Sequence, residues 1–438
     1  MKLLYAVLCV CLSAQMYSQT YDFSLVDKIL QDSLQNISGI GGGCALILMK
    51  DGKEIYSKSF SLPGKSYTVN KIVPIASSSK WLACGVVMGL LQDGLWTLED
   101  SAGKYLPYID GDKARMTIRQ LFSMTSGIKE DGNGVEDSIL RNNDISLDSA
   151  VKQILALPLA TKPGASMAYG GRGMHIAGRC AEIASGIPLE TGQAWNSLFS
   201  KYVSTPLGLK VTQFLPGKNP GIAGSVASNA KEYSVYLQMI INNGKHADKQ
   251  IISKEIISEM KKDQTFGAPI LYSPFALWKI LNPSLDLDGK ARYALGHWRE
   301  KVDYSTDEVL ESSSLGAFGF APWIDWKRNL TGVFSVWSEG RVTVPTYITL
   351  KKAIRNSIDG ISSIQNDSES TMMVQMNNTV IFSEKVQSFT VYSLSGTVVQ
   401  PSQSMEEWDY TGLSNGLYMI DMISKDQQHH IQKLTIIH

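Results

Sequence analysis

The sequence predicts a mixed α/β (α+β) body followed by a small all-β module, and three observations carry this. Two segments, Cys44–Met49 and Glu54–Phe60, flank Asp51-Gly52, a turn pair suited to a hairpin. The run from Trp81 to Leu91, after Ser77-Ser78-Ser79-Lys80, is apolar on nearly every side and predicts a buried helix. After residue 370 come short alternating apolar segments separated by turn signals, which predict a β-sandwich. With 438 residues, 44% hydrophobic and 19% charged, the chain can bury a sizeable core and fill two or three domains.

Taken in order, residues 1–19 place Lys2 ahead of an apolar run, Leu3 to about Ala14, and then small and polar residues. That is the pattern of a secretory signal peptide, too short to span a bilayer as a helix. Cleavage near Gln19 removes Cys9 and Cys11 and leaves Cys44, Cys84 and Cys180, the latter two in apolar helical runs where buried free thiols are expected. The rival reading, a lipoprotein anchor, meets Leu8 and Val10 where a small residue is expected before the cysteine. No other stretch is long and apolar enough to cross a membrane. The main body is expected over residues 20–355, and 356–370, rich in Ser, Asn, Asp and Gly, reads as a linker. The tail, 371–438, carries Met373–Met376, Val380–Phe382, Phe389–Leu394, Leu417–Ile423 and Leu434–Ile437 as strand candidates.

Composition also narrows function. Lys+Arg and Asp+Glu both number 41, so no net charge argues for nucleic acid as a partner. The neutral total joins an acidic tail, with three lysines and eight acids over 361–438, to a mildly basic body. Five cysteines are too few for a disulfide scaffold, and no pair has zinc-site spacing. Six histidines without an HExxH pattern argue against a metallohydrolase.

Two serine-nucleophile patterns occur. Gly412-Leu413-Ser414-Asn415-Gly416 matches Gly-x-Ser-x-Gly, but that motif needs a strand before it and a helix after it. Here it runs into a tail strand and reads as a turn. Ser-x-x-Lys begins at Ser77, Ser101, Ser126, Ser149, Ser228 and Ser258, and only Ser77 opens a buried apolar helix. Lys80, three residues on, shares a helix face with Ser77. A partly desolvated lysine there loses its proton and can accept one from the serine, whose free hydroxyl is a poor nucleophile. The plain alternative for Ser77 is an ordinary helix N-cap. Gly85 and Gly89, four apart, would let another element approach the helix closely.

Further residues point to one family. They are Asp93-Gly94-Leu95-Trp96, Lys104-Tyr105-Leu106-Pro107, Thr117 to Gly127, Pro163-Gly164 and Tyr169-Gly170-Gly171. From about Gly41 to Ile354 the chain resembles the serine β-lactamase and penicillin-binding-protein superfamily, closest to the class C β-lactamases and their esterase and peptidase relatives. The resemblance implies an antiparallel sheet flanked by helices, with an all-α lobe inserted between Lys80 and about Asn243, and Ser77 at their boundary. It implies that Tyr169 relays the serine proton, its pKa and that of lysine lying close enough to share one; a tyrosine in a loop is usually an amphipathic packing residue, so this role rests on the family match. The segment Thr125-Ser126-Gly127 is structural in the family, and Met124 replaces a common histidine. His175 reads as a helix residue rather than a base. Gly171 stands where the family has the asparagine of Tyr-x-Asn. The third motif falls at Ser314-Leu315-Gly316 without its lysine, with Pro322–Asp325 expected at the edge of the site. The resemblance implies an oxyanion hole of the Ser77 and Ala317 amides, and Gly316 would keep side chains clear of substrate, a bulge glycine being the alternative.

These features imply a two-step hydrolysis through an acyl-enzyme on Ser77, with a small-molecule or peptide substrate and no metal or organic cofactor. Loss of the lysine, which would meet a substrate carboxylate, tilts the reading toward an esterase or amidase. A D-Ala-D-Ala-type peptidase or β-lactamase, and a catalytically weak binding protein of the same fold, are the alternatives. The tail resembles the C-terminal sorting domain of type IX secretion cargo at Val391-Tyr392-Ser393-Leu394-Ser395-Gly396, Leu413 to Tyr418 and Gln432-Lys433-Leu434. That resemblance implies a Bacteroidetes-type bacterium, passage through the periplasm, the type IX machinery as partner, and a secreted or surface-held product. An adhesive or carbohydrate-binding module is the alternative.

Overall fold

The computed structural model describes residues 21–130, 137–188, 194–273, 292–360 and most of 373–436. The expected signal peptide, residues 1–19, lies outside the described residues, as does 361–370 of the expected linker. Helix α1 (Ser24–Ile37) precedes the hairpin of β1 (Gly43–Lys50) and β2 (Lys53–Ser61). Its turn is the one the sequence predicts: Asp51 and Gly52 sit at φ 51° and 75°, the left-handed pair a type I′ turn requires.

Helix α2 (Ser79–Gln92) is buried from Ser79 to Leu90. A Cβ at Gly85 would lie 2.6 Å from Val203, and one at Gly89 2.2 Å from the Tyr202 ring, so both glycines admit the segment Ser200–Ser204. Helices α3 (Arg172–Ser185) and α4 (Ala230–Ile241) follow. The inserted lobe is largely rather than wholly helical. Short strands such as Val73–Pro74, Gln213–Phe214 and Val226–Ser228 pair with one another and pin its loops beside the sheet.

Strands β3 (Trp298–Asp303), β4 (Glu308–Ser313), β5 (Ala321–Asp325) and β6 (Leu330–Val336) complete an antiparallel sheet of order β3-β4-β5-β6-β1-β2. Strand β6 is buried throughout, because helices cover both faces of the sheet. On one face Gln238 of α4 bonds Thr331 at 2.8 Å. On the other, Trp323 packs edge-on against Tyr347 of α5 (Gly340–Asp359). Lys351 of α5 is buried between Glu300 of β3 and Glu311 of β4, 2.5 Å from each. α5 runs on to Asp359, where Arg328 pairs with it, so residues 356–359 of the expected linker are helical. Their polar residues face water on a helix that is amphipathic, which composition alone reads as a linker. Cys44, Cys84 and Cys180 are buried free thiols, and burial pushes Cys44 and Cys180 up to about 12.

The C-terminal strands form two small sheets around their own core. The first joins β7 (Met373–Met376), β8 (Thr379–Phe382) and β11 (Glu407–Asp409). The second joins β9 (Val386–Ser393), β10 (Val398–Gln403), β12 (Gly416–Ser424) and β13 (His429–Ile436), in the order β10-β9-β12-β13. Val380, Phe382 and Trp408 from one sheet meet Phe389, Val391, Ile420 and Leu434 from the other, with Phe382 stacked on Phe389 at 4.2 Å. Ser414 lies in the turn ahead of β12, with no helix after it. No described helix is long and apolar enough to cross a membrane.

Candidate active site

Ser77 stands in a 3₁₀ turn, Ala76–Ser78, immediately ahead of α2. It caps neither element with its side chain, so the structure does not use it as an N-cap. The preceding residue, Ala76, is held at φ 45°, a left-handed conformation that costs a non-glycine residue about 1 kcal/mol or more. Surrounding bonds hold it there. Ile75 donates to the Val226 carbonyl at 3.0 Å, and Ser79 Oγ accepts from the Val226 amide at 3.0 Å. Tyr233 and Tyr236 of α4 donate to the carbonyls of Ser78 and Trp81 at 2.8 and 2.6 Å. Ser78 Oγ donates to the Ser314 carbonyl at 2.6 Å.

With its neighbours tied down, the Ser77 hydroxyl is left to Lys80 and Tyr169. Lys80 is 4% exposed. Its Nζ donates to Ser77 Oγ at 3.0 Å and to the Ala223 carbonyl at 2.9 Å, and lies 4.7 Å from the centre of the Tyr169 ring. Burial pulls its pKa down to about 7, against a smaller upward pull from Glu130. Near neutral pH a large fraction is therefore free amine with a lone pair. Tyr169 stacks on Trp298 at 5.4 Å, and its amide donates to the Tyr272 carbonyl at 3.0 Å. Burial holds its phenol well above the ordinary tyrosine range, although a hydrogen bond with Ser77 pulls the other way. The expectation that the two pKa values lie close together is corrected: burial destabilises each charged form and drives the lysine down and the tyrosine up.

The loop after Tyr169 departs from Tyr-x-Asn for a steric reason. A Cβ on Gly171 would sit 2.8 Å from Leu140 and 3.0 Å from Ala223, so the space of an asparagine side chain is filled. A Cβ on Gly170 would strike the Glu130 carboxylate, which accepts from the amides of Gly171, Arg172 and Gly173 at 3.1–3.3 Å. Asp137 caps the turn Ser138–Arg141 and pairs with buried Arg172 at 2.6 Å, which fixes Leu140 and Arg141 beside the Tyr169 loop. Met124, in place of the histidine, sits at φ 64° and accepts the Ala168 amide through its carbonyl, so its segment supports this loop.

Ser314 follows β4 and donates its hydroxyl to the Ser77 carbonyl at 3.2 Å. Gly316 has a different reason from the one expected. A Cβ there would lie 2.2 Å from the Ile75 carbonyl, so the glycine lets two backbones meet behind Ser77 rather than clearing room for substrate. Pro322–Asp325 is corrected too. It belongs to β5, fully buried between β4 and β6, and β4 is the strand that leads to Ser314. Ala317 is exposed at the rim, and among the described residues neither its amide nor that of Ser77 reaches an acceptor.

Ser77, Lys80, Tyr169 and Gly171 line one pocket of about 410 Å³, which Phe318 closes on the Ala317 side. The sequence missed Glu130, Arg141, Asn219 and Ala223. Asn219 and Ala223 lie in Leu215-Pro216-Gly217-Lys218-Asn219-Pro220-Gly221, a Pro/Gly-rich stretch and its sequel, and such loops often carry binding residues. His175 is a helix residue as expected, but it also lines the pocket.

A helix-flanked antiparallel sheet with a lobe that brings a Ser-x-x-Lys pair into a desolvated pocket defines the class of serine acyl-transfer hydrolases. The beta-lactamase family model matches residues 27–334, and the chain belongs to that family. It is similar to a β-lactamase candidate from Bacteroides dorei DSM 17855, with TM-score 0.66 and 28% identity over 78% of this chain and all of that one. A family VIII carboxylesterase shares the fold at TM-score 0.60 and 17% identity, over 76% of this chain and 97% of that one. The protein flp of Staphylococcus aureus strain MW2 is 26% identical over 198 residues, which span 43% of this chain and only 38% of that relative.

Proposed function

We propose that the chain hydrolyses an ester or amide bond through an acyl-enzyme on Ser77. The observation that carries this is the Lys80 amine, 3.0 Å from Ser77 Oγ in a site whose burial lowers its pKa to about 7. Lys80 takes the serine proton as Oγ attacks the carbonyl carbon. The Ser77 and Ala317 amides receive the oxyanion, each donor lowering the barrier by roughly 3 kcal/mol. Tyr169, kept protonated by burial, gives its proton to the leaving group and regains one from Lys80. Water then repeats the cycle on the acyl-enzyme. The Lys80–Ser77 contact favours this reading over a binding protein of the same fold.

The preferred substrates are esters or amides without a carboxylate beside the scissile bond, because Ser314-Leu315-Gly316 supplies no cation. A second reading, peptidase or β-lactamase, is favoured by Arg141 on the pocket wall, a cation that could meet such a carboxylate. A fluorophosphonate probe should label Ser77, and p-nitrophenyl esters of several chain lengths should be turned over faster than nitrocefin. Faster nitrocefin turnover would favour the second reading, and no label on Ser77 would end the first.

We further propose that the C-terminal sandwich is a type IX sorting module, so that the protein passes through the periplasm to release or surface attachment. The tail motifs support this, and the sandwich has a core of its own. Removing residues 361–438 should trap active protein in the periplasm of a type IX-competent host. Unchanged appearance outside the cell would sink the idea.

A further inference from the structure

The Ser77 pocket contains polar atoms that the reaction above does not use. His175, the fourth residue of α3, is fully buried and lines the pocket, yet among the described residues neither ring nitrogen reaches a hydrogen-bond partner. Asn219, 1% exposed, lines the same pocket. Its Nδ2 donates to the carbonyls of Ile139 and Asn142 at 2.9 and 3.1 Å, which fixes the amide's orientation. Its Oδ1 has no partner among the described residues. The Asn219 amide and the Gly171 backbone are the imidazole's nearest hydrogen-bonding neighbours, close enough to favour its protonated form but not aligned into a full hydrogen bond. A buried polar group left unpaired costs about 1–3 kcal/mol, and such groups in a native pocket call for an explanation.

The two side chains offer a defined set of partners. Burial pulls the His175 pKa down to about 4, with Lys80 pushing the same way and Gly171, Asp137 and Asn219 opposing. At neutral pH the ring is uncharged and presents one N–H and one lone pair. Asn219 adds a second acceptor. A hydroxyl or an amide has both donor and acceptor and can pair with the N–H and with one of the two acceptors, and a primary amide can serve both acceptors. A carboxylate has no proton to give the Asn219 oxygen or the imidazole lone pair, and an alkyl chain leaves all three groups unpaired. The rest of the wall is largely apolar, with Pro74, Leu140, Leu215 and Ala223.

We propose that His175 and Asn219 form a subsite that hydrogen-bonds a hydroxyl or amide on the acyl portion of the substrate. The inference rests on the Ser77 acyl-enzyme, since the acyl portion stays in the pocket through both steps. It makes His175 a specificity-determining residue rather than a base.

The test compares p-nitrophenyl butanoate with p-nitrophenyl 3-hydroxybutanoate in wild type, His175→Phe and His175→Gln. Wild type should favour the hydroxy ester in kcat/KM by about tenfold, the worth of one well-made hydrogen bond. His175→Phe should bring that ratio close to one, and His175→Gln should restore part of it. A ratio that His175→Phe leaves unchanged overturns the subsite. A second arm needs neither turnover nor that variant. In Ser77→Ala protein, ethyl 3-hydroxybutanoate should shift the His175 ring-nitrogen resonances, and ethyl butanoate should not. Resonances that respond to neither ester, or alike to both, overturn the subsite. If they respond to the hydroxy ester while wild type turns over neither p-nitrophenyl ester, the subsite stands and the acyl-enzyme reading fails.

Discussion

Ser77→Ala should lower kcat for ester hydrolysis by at least about 10⁴-fold, because removing the nucleophile of a covalent mechanism leaves only binding and oxyanion stabilisation. The fold should survive. Ser77 caps no helix, and the turn around it is held by Ile75, Ser78, Ser79, Tyr233 and Tyr236 through bonds that do not involve the Ser77 hydroxyl. The loss of its contacts with Lys80 and Tyr169 should change stability by about 1–2 kcal/mol. Steady-state kinetics beside a urea melt makes the check. A variant that melts like wild type and still turns over ester at the wild-type rate removes Ser77 from the chemistry.

Lys80→Met should cut kcat by about 10²–10⁴-fold, the usual contribution of a general base, and at the same time stabilise the fold at low pH. The Lys80 pKa is about 7 in the folded chain against 10.5 for an unperturbed lysine. Between those values the unfolded chain binds a proton that the folded chain does not, so wild-type stability climbs as pH rises from about 7 towards 10.5. Below 7 the folded state carries the full penalty of the buried charge. At about 1.4 kcal/mol per unit that penalty is of order 5 kcal/mol. Against it stands the Ala223 carbonyl, left without its donor at a cost of about 1–3 kcal/mol. The net gain from methionine is about 2–4 kcal/mol at pH 6 and vanishes by pH 10. Thermal melts of both proteins at these two pH values read it directly. In wild type, kcat/KM should rise with pH through about 7 as the amine is freed. A flat profile, or a variant less stable than wild type at pH 6, would contradict a neutral, desolvated Lys80.

What the sequence revealed, and what it hid, follows from the range of the forces involved. The β1–β2 hairpin and α2 were legible because Asp51-Gly52 and the Trp81–Leu91 run are local signals. The sandwich was legible where strands alternate, but β10 (Val398–Gln403) and β11 (Glu407–Asp409) escaped because their residues are mostly polar and their pairing comes from β9 and β8. Ser77 and Lys80 are joined by helical spacing, whereas Tyr169 arrives from another segment and was legible only through motif order. Glu130 and Asn219 are placed by loops and Arg141 ends a single helical turn, and none of the three obeys a periodicity. The split between the Lys80 and Tyr169 pKa values is a product of burial, which no local pattern encodes. Gly316 was recognised correctly as a required glycine and explained wrongly, because its constraint is a carbonyl 241 residues earlier in the chain, that of Ile75.

The central sheet has a consequence for the order in which the molecule assembles. β1 pairs with β6 along its whole length, from Cys44 against Val336 to Lys50 against Leu330, so the two neighbours are separated by nearly the entire body. Ser78 is likewise bonded to Ser314. Contacts of such long sequence separation form late and slow the folding of a chain dominated by them. A ribosome-bound chain that ends before residue 336 has the whole Ser77-x-x-Lys80 motif but neither the strand that closes the sheet nor, until Ser314 emerges, the carbonyl that holds the turn. Hydrolytic competence therefore arrives only with the last strands of the body. Under the export proposed above, in which the chain crosses a membrane unfolded, this architecture would keep the nucleophile idle until that crossing is complete.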